Sequence, residues 1–85
     1  MNLTFSPDAW EDYLYWQQAD KAVCRRINLL IKDTLRSAFE GIGKPEPLRH
    51  RYSGCWSRRI TEEHRMVYRV TEAALEILQL RYHYE

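Results

Sequence analysis

Three stretches in the second half of the chain alternate apolar and polar residues with a period of two: Trp56 to Thr61, Arg65 to Val70 and Leu75 to Tyr82. Successive side chains of a strand point to opposite faces, so this alternation reads as half-buried β-strand. The joins between the runs, Glu62-Glu63-His64 and Glu72-Ala73-Ala74, are hairpin-sized. In the middle run Met66, Tyr68 and Val70 take one face, and Arg65, Val67 and Arg69 take the other. A mostly antiparallel sheet with one core face follows, and that face needs a cover.

The cover lies upstream. Asn2 to Phe5 reads as a short first strand, and Ser6-Pro7-Asp8 then supplies an N-cap, a proline at the first helical position and an acid in the first turn. The helix this opens runs to about Gln18, with Trp10, Tyr13 and Leu14 on a shared face. That group, together with Trp16, is assigned to packing rather than to base stacking. Asp20 is a second N-cap, after which Val23, Ile27, Leu30, Ile31 and Thr34 recur at helical spacing. The Lys21, Arg25 and Arg26 cluster between them reads as a solvated helix face.

Residues 39 to 47, FEGIGKPEP, hold two glycines and two prolines and read as a loop. Leu48 to Tyr52, ahead of Ser53-Gly54, reads as one more strand. The order is therefore β-α-α-β-β-β-β: an α+β fold with two N-terminal helices packed on one face of a mostly antiparallel sheet. The other face is left open to a ligand and concentrates the arginines.

At 85 residues the chain has room for one core, so a single domain spanning 1–85 is expected. Three Trp, six Tyr and two Phe carry much of its burial. Cys24 and Cys55 stand far apart with no CxxC pair, which suggests neither a zinc site nor a disulfide framework and fits a reducing cytoplasm. No basic leader region opens the sequence and no apolar run approaches the ~20 residues of a membrane span, so a cytoplasmic protein is expected. The net charge of +1 hides a segregation. Residues 1–20 carry Asp8, Glu11, Asp12 and Asp20 with no Lys or Arg, whereas residues 44–71 carry seven basic residues against three acids. That second half can meet a phosphate backbone, or it can be an ordinary mixed-charge surface.

Gly-rich phosphate loops, HExxH, GxSxG and clustered carboxylates are all missing from the sequence, which leaves nucleotide hydrolysis, metalloprotease and serine-hydrolase readings without support. What remains is a set of Glu, Arg, His and Tyr. Such a set suits RNA cleavage by attack of a ribose 2′-OH on its own phosphate. A base takes the hydroxyl proton, cations stabilise the phosphorane, and an acid protonates the departing 5′-oxygen. On residues alone, Glu46 is a solvated loop carboxylate, Arg65 a strand arginine paired with Glu62 or Glu63, and His83 a group near a chain end; His50 and His64 are turn residues outside catalysis.

The segments GKPEPL (43–48), SGCWSRRITEEHRMVYRV (53–70) and RYHY (81–84), with DYLYWQ (12–17) and INLLIKDT (27–34), resemble the YoeB group of RelE/ParE-type bacterial toxins. The resemblance covers nearly the whole chain. It implies a RelE-like fold, the toxin role in a type II toxin–antitoxin system, and ribosome-dependent cleavage of mRNA in the decoding site without a metal or other cofactor. Carried across residue by residue, it makes Glu46 in KPEP the general base and His83 in RYHY the general acid. Arg65 in EEHRMVY neutralises charge on the phosphate, and Tyr84 orients the RNA near the scissile bond. Lys44, Arg49, Arg58 and Arg59 hold the RNA backbone or ribosomal RNA.

The implied partners are a cognate YefM-type antitoxin folding over the basic face, operator DNA reached through the antitoxin complex, and a second copy in a homodimer. Two positions depart from the family pattern: Cys55, where a larger apolar residue is expected, and Glu85, a carboxylate beyond the His-Tyr ending. The rival readings are a non-catalytic module that occupies the ribosome or an antitoxin and so inhibits translation, and a toxin of related fold aimed at another target such as DNA gyrase.

Overall fold

The computed structural model describes residues 1–83. A first strand β1 (Asn2–Phe5) leads into helix α1 (Pro7–Ala19) and helix α2 (Lys21–Arg36). Strands β2 (Glu46–Pro47), β3 (Trp56–Arg59), β4 (Arg65–Val70) and β5 (Ala74–Gln79) follow, with a 3-10 turn at His50–Tyr52 between β2 and β3. The sheet order is β1-β5-β4-β3-β2; β1 pairs with β5 in parallel and every other pair is antiparallel. The α+β architecture read from the sequence is the observed one.

The helix ends form where the capping chemistry places them. Ser6 Oγ accepts from the Ala9 N–H at 3.0 Å, and Pro7 occupies the first turn, where its missing N–H costs nothing. Asp20 closes one helix and opens the next. Its own N–H donates to the Trp16 carbonyl while its Oδ1 accepts from the Ala22 and Val23 N–H groups. Helix α2 buries Ile27, Leu30, Ile31 and Thr34 against Met66, Tyr68, Leu75 and Ile77 of the sheet.

Helix α1 is a partial correction. Ala9 and Trp16 are its buried residues, while Trp10 remains 47% exposed, stacked on Tyr13 and edge-on to Phe5, and Leu14 faces outward. Trp16 reaches the core because its indole N–H has a carbonyl to meet, that of Leu80 at 2.9 Å.

Leu48 to Tyr52 is not a strand. The extra strand is Glu46–Pro47, one step earlier, at a sheet edge where a proline is tolerated. Leu48 instead turns down onto the face away from the helices, where it packs with Cys55 and Val67, flanked by Tyr52 and Leu78. His50, at a φ of 58°, then breaks any extended run. The face expected to be open is thus partly roofed by residues 48–55. Cys55 fills this small second core as a buried free thiol. Among the described residues no helix is long and apolar enough to cross a membrane.

Candidate functional site

Strand register assembles the face away from the helices. Glu46 lies opposite Ser57, Ser57 opposite Val67, and Val67 opposite Gln79. Directly paired residues share a face, so Glu46, Ser57, Val67 and Gln79 form one row across the sheet. Arg59 and Arg65 form the next row. Strand spacing and rise place the Glu46 and Arg65 Cα atoms roughly 12 Å apart, a gap that two long side chains and one phosphodiester can span. Between Val67 and Tyr68 the register shifts, because Val67 meets Gln79 and Tyr68 meets Ile77. The extra residue, Leu78, joins the second core from the same side.

Arg65 is 8% exposed, and its Nη1 donates to the carbonyls of Thr61, Glu62 and His64 at 2.7, 3.0 and 3.1 Å. It is therefore no surface arginine paired with the Glu62 or Glu63 carboxylate. The turn it grips is set by Thr61, whose Oγ1 accepts from the N–H groups of Glu63 and His64. Lys44, Arg49 and Arg59 are exposed, as is Glu46. Arg69, on the same face, is tied to Glu76 at 2.7 Å, which raises the arginine's pKa further.

His83 is exposed and lines a cleft of about 350 Å³ with Tyr52, Leu78, Gln79, Arg81 and Tyr82. The opposite wall is acidic, formed by Asp8, Glu11 and Asp12 at the start of α1. Tyr52 and Leu78 belong to both the cleft and the second core, so the cleft adjoins the Glu46 row. Tyr84 lies outside the described residues, as does Glu85.

Arg58 does not belong to this face. Strand alternation turns it toward the helices, where its side chain is 0% exposed and ion-paired to Asp33 at 2.7 Å. Its guanidinium also donates to the carbonyls of Ser37, Glu40 and Ile42. The role expected for it in holding RNA is corrected to one in holding the 37–42 loop. Hydrogen bonds from Arg36, the Ile42 N–H and Arg58 hold the Asp33 carboxyl well below the usual carboxylate range. Gly41 is required there, since at a φ of 126° any Cβ would collide with the Asp33 carboxylate.

The residues that anchor the C-terminal segment were not singled out from sequence. Ser6 Oγ donates to the Leu78 carbonyl, Asp12 accepts from the Leu80 N–H, and the Arg81 guanidinium sits 3.6 Å above the Tyr15 ring. His64 Nδ1 accepts from the Tyr82 N–H at 2.6 Å. Polar groups at helical spacing on the sheet-facing side of α1, beginning with Asp12, are the one sequence signal that points to this anchoring.

Comparison with known proteins settles the family. Residues 5–84 match the model of the YoeB-like toxin of bacterial type II toxin–antitoxin systems. The chain belongs to this family. It is 62% identical over 84 residues to toxin YoeB of Escherichia coli K12, covering 99% of this chain and 100% of that one. The YoeB/ParE toxin from Agrobacterium tumefaciens superposes with a TM-score of 0.96 at 48% identity, over 99% of this YoeB-family chain and 100% of the other. YoeB from Staphylococcus aureus has been solved as a dimer (TM-score 0.92, 50% identity, 99% and 98% covered) and as a YoeB–YefM complex (0.91, 49%, 99% and 98%).

Proposed function

We propose that this YoeB-family toxin is a ribosome-dependent mRNA endoribonuclease working by general acid-base catalysis without a metal. The observation that carries the reading is the shared sheet face: Glu46 and the arginine row of Arg59 and Arg65 lie on one side of the sheet, and the cleft holding His83 adjoins it. Glu46 accepts the proton of the ribose 2′-OH, whose oxygen attacks the adjacent phosphorus. Arg65, pre-set by its three carbonyl contacts, and Arg59 offset the charge that builds on the phosphorane. His83 gives its proton to the departing 5′-oxygen, leaving a 2′,3′-cyclic phosphate and a 5′-hydroxyl. Tyr84 orients the RNA beside the scissile bond. The acidic wall of Asp8, Glu11 and Asp12 repels phosphate, so the strand enters over the sheet, past Lys44, Arg49 and Arg59.

The S. aureus complex supports a YefM-type antitoxin as partner, its acidic segment competing with RNA for this basic face, and the S. aureus dimer supports self-association. The antitoxin complex contacts operator DNA, mainly through the antitoxin. The target places the protein in the cytoplasm.

Primer extension on mRNA carried by programmed ribosomes tests the reading, with Glu46→Gln and His83→Ala beside the wild type and a parallel EDTA arm on free RNA. Each substitution lowers cleavage about 100- to 10,000-fold. An intact message under ribosomes stalled by the wild-type protein makes the chain a binding inhibitor instead.

A further inference from the structure

The path from β5 to His83 runs through a single strained residue. Tyr82 has a φ of 62°, a left-handed conformation that bulky side chains rarely adopt. Both of its main-chain polar groups are held by consecutive residues, His64 at the end of the β3–β4 turn and Arg65 at the start of β4. Its N–H donates to His64 Nδ1 at 2.6 Å, and its carbonyl accepts from the Arg65 N–H at 3.1 Å. The His64 ring is 13% exposed and set edge-on to Trp16, with ring centroids 4.9 Å apart, and it lies 5.4 Å from the Tyr82 ring. Its carbonyl meanwhile takes a bond from Arg65 Nη1. One histidine therefore touches both the arginine guanidinium and the peptide that delivers His83.

We propose that His64 is a positioning residue for the cleavage: its neutral ring, accepting at Nδ1, pins the Tyr82 amide and thereby fixes His83 relative to Arg65. The role rests on the endoribonuclease reading above. An imidazole that accepts at Nδ1 while neutral carries its proton on Nε2, so His64 is not itself poised to exchange protons through Nδ1. Displacements of about 1 Å in a catalytic group cost on the order of 100-fold, which sets the scale of the effect.

Two substitutions separate the acceptor from the ring. His64→Asn puts a carbonyl oxygen at the place of Nδ1 and removes the ring; His64→Phe keeps the ring and removes the acceptor. On programmed ribosomes His64→Phe loses about 10- to 100-fold in kcat with KM little changed, and His64→Asn recovers most of that loss. Equal activity of His64→Phe and wild type overturns the proposal, and so does an asparagine variant as defective as the phenylalanine one. Nitrogen-15 NMR of the folded wild type supplies a readout independent of activity: an unprotonated Nδ1 coupled through the hydrogen bond to the Tyr82 amide nitrogen. A proton on Nδ1 at neutral pH overturns the clamp. A wild type that leaves message intact overturns the ribonuclease reading and the role built on it, while the coupling still reports whether the clamp exists.

Discussion

Replacing Arg58 with methionine separates a structural arginine from an RNA-binding one. The wild-type guanidinium donates to Asp33 at 2.7 Å, to the Ser37, Glu40 and Ile42 carbonyls at 2.7, 2.9 and 3.1 Å, and to the Tyr68 hydroxyl at 3.4 Å. Methionine fills much of the stem volume and offers no donor, so three main-chain carbonyls, one carboxylate and the Tyr68 hydroxyl lose a partner. A buried carbonyl left unmet costs about 1–3 kcal/mol. Water can reach this loop once it loosens, so the lower end applies, and three carbonyls come to about 3 kcal/mol. That agrees with the roughly 3–5 kcal/mol seen when one member of a buried ion pair is removed. A chain of this size has about 4–13 kcal/mol in total, so the variant loses a large share of its stability.

The expected drop in Tm is about 12 °C or more, at roughly 4–8 °C per kcal/mol for small domains. Thermal and urea unfolding followed by circular dichroism measure it, and RNA binding is read at a temperature where the variant is still folded. Stability within about 1 kcal/mol of wild type combined with weakened RNA binding refutes the reasoning, because it returns Arg58 to the RNA face.

Further outcomes follow from the same geometry. The lowered pKa of Asp33 means that its carboxylate stabilises the fold fully above about pH 4, and that this contribution fades as pH falls toward the depressed folded-state value. Urea midpoints of wild type and Asp33→Asn therefore differ most near neutrality and converge in acid; a constant gap down to pH 3 contradicts the assignment. Trp16→Phe strips the donor from the buried Leu80 carbonyl and costs about 1–3 kcal/mol in urea unfolding. Lys44→Ala and Arg59→Ala each reduce the slope of log affinity against log salt for single-stranded RNA by about 0.7, the value of one phosphate contact. Arg58→Met leaves that slope as it was.

The elements most legible in the sequence are those in which local chemistry and burial agree. Ser6-Pro7-Asp8 and Asp20 fixed both helix starts because a cap is a contact between near neighbours in the chain. The alternation of Arg65 to Val70 gave β4 to the residue, since its two faces meet two different cores. Leu48 to Tyr52 misled because an apolar residue ahead of a turn looks the same whether it extends a strand or folds back over one. Arg58 misled for a related reason. Alternation sends Arg58 and exposed Arg59 to opposite faces, but only Asp33 on a distant helix supplies the buried partner that lets an arginine take the core side. Of the candidate site, Arg59 and Arg65 lie in runs whose alternation is legible, whereas Glu46 falls in a stretch that reads as loop and is reached only through the family resemblance, because a two-residue edge strand beside prolines carries no periodicity. The clamp on Tyr82 depends on contacts between residues 18 positions apart, and no periodicity announces it.

The parallel pairing of β1 with β5 fixes when this molecule comes into being during its synthesis. β5 sits between β1 and β4, yet it follows every other described strand along the chain, so the first strand has no partner until residues 74 to 77 have left the ribosome. Until then both helices carry an apolar stripe over an unfinished sheet, with Leu75, Ile77 and Leu80 missing from the core. Pairing of such distant segments is slow and comes late. The nascent chain therefore carries an incomplete core while its helices and β2 to β4 are made, and the cleft beside His83 forms only once β5 has docked between β1 and β4.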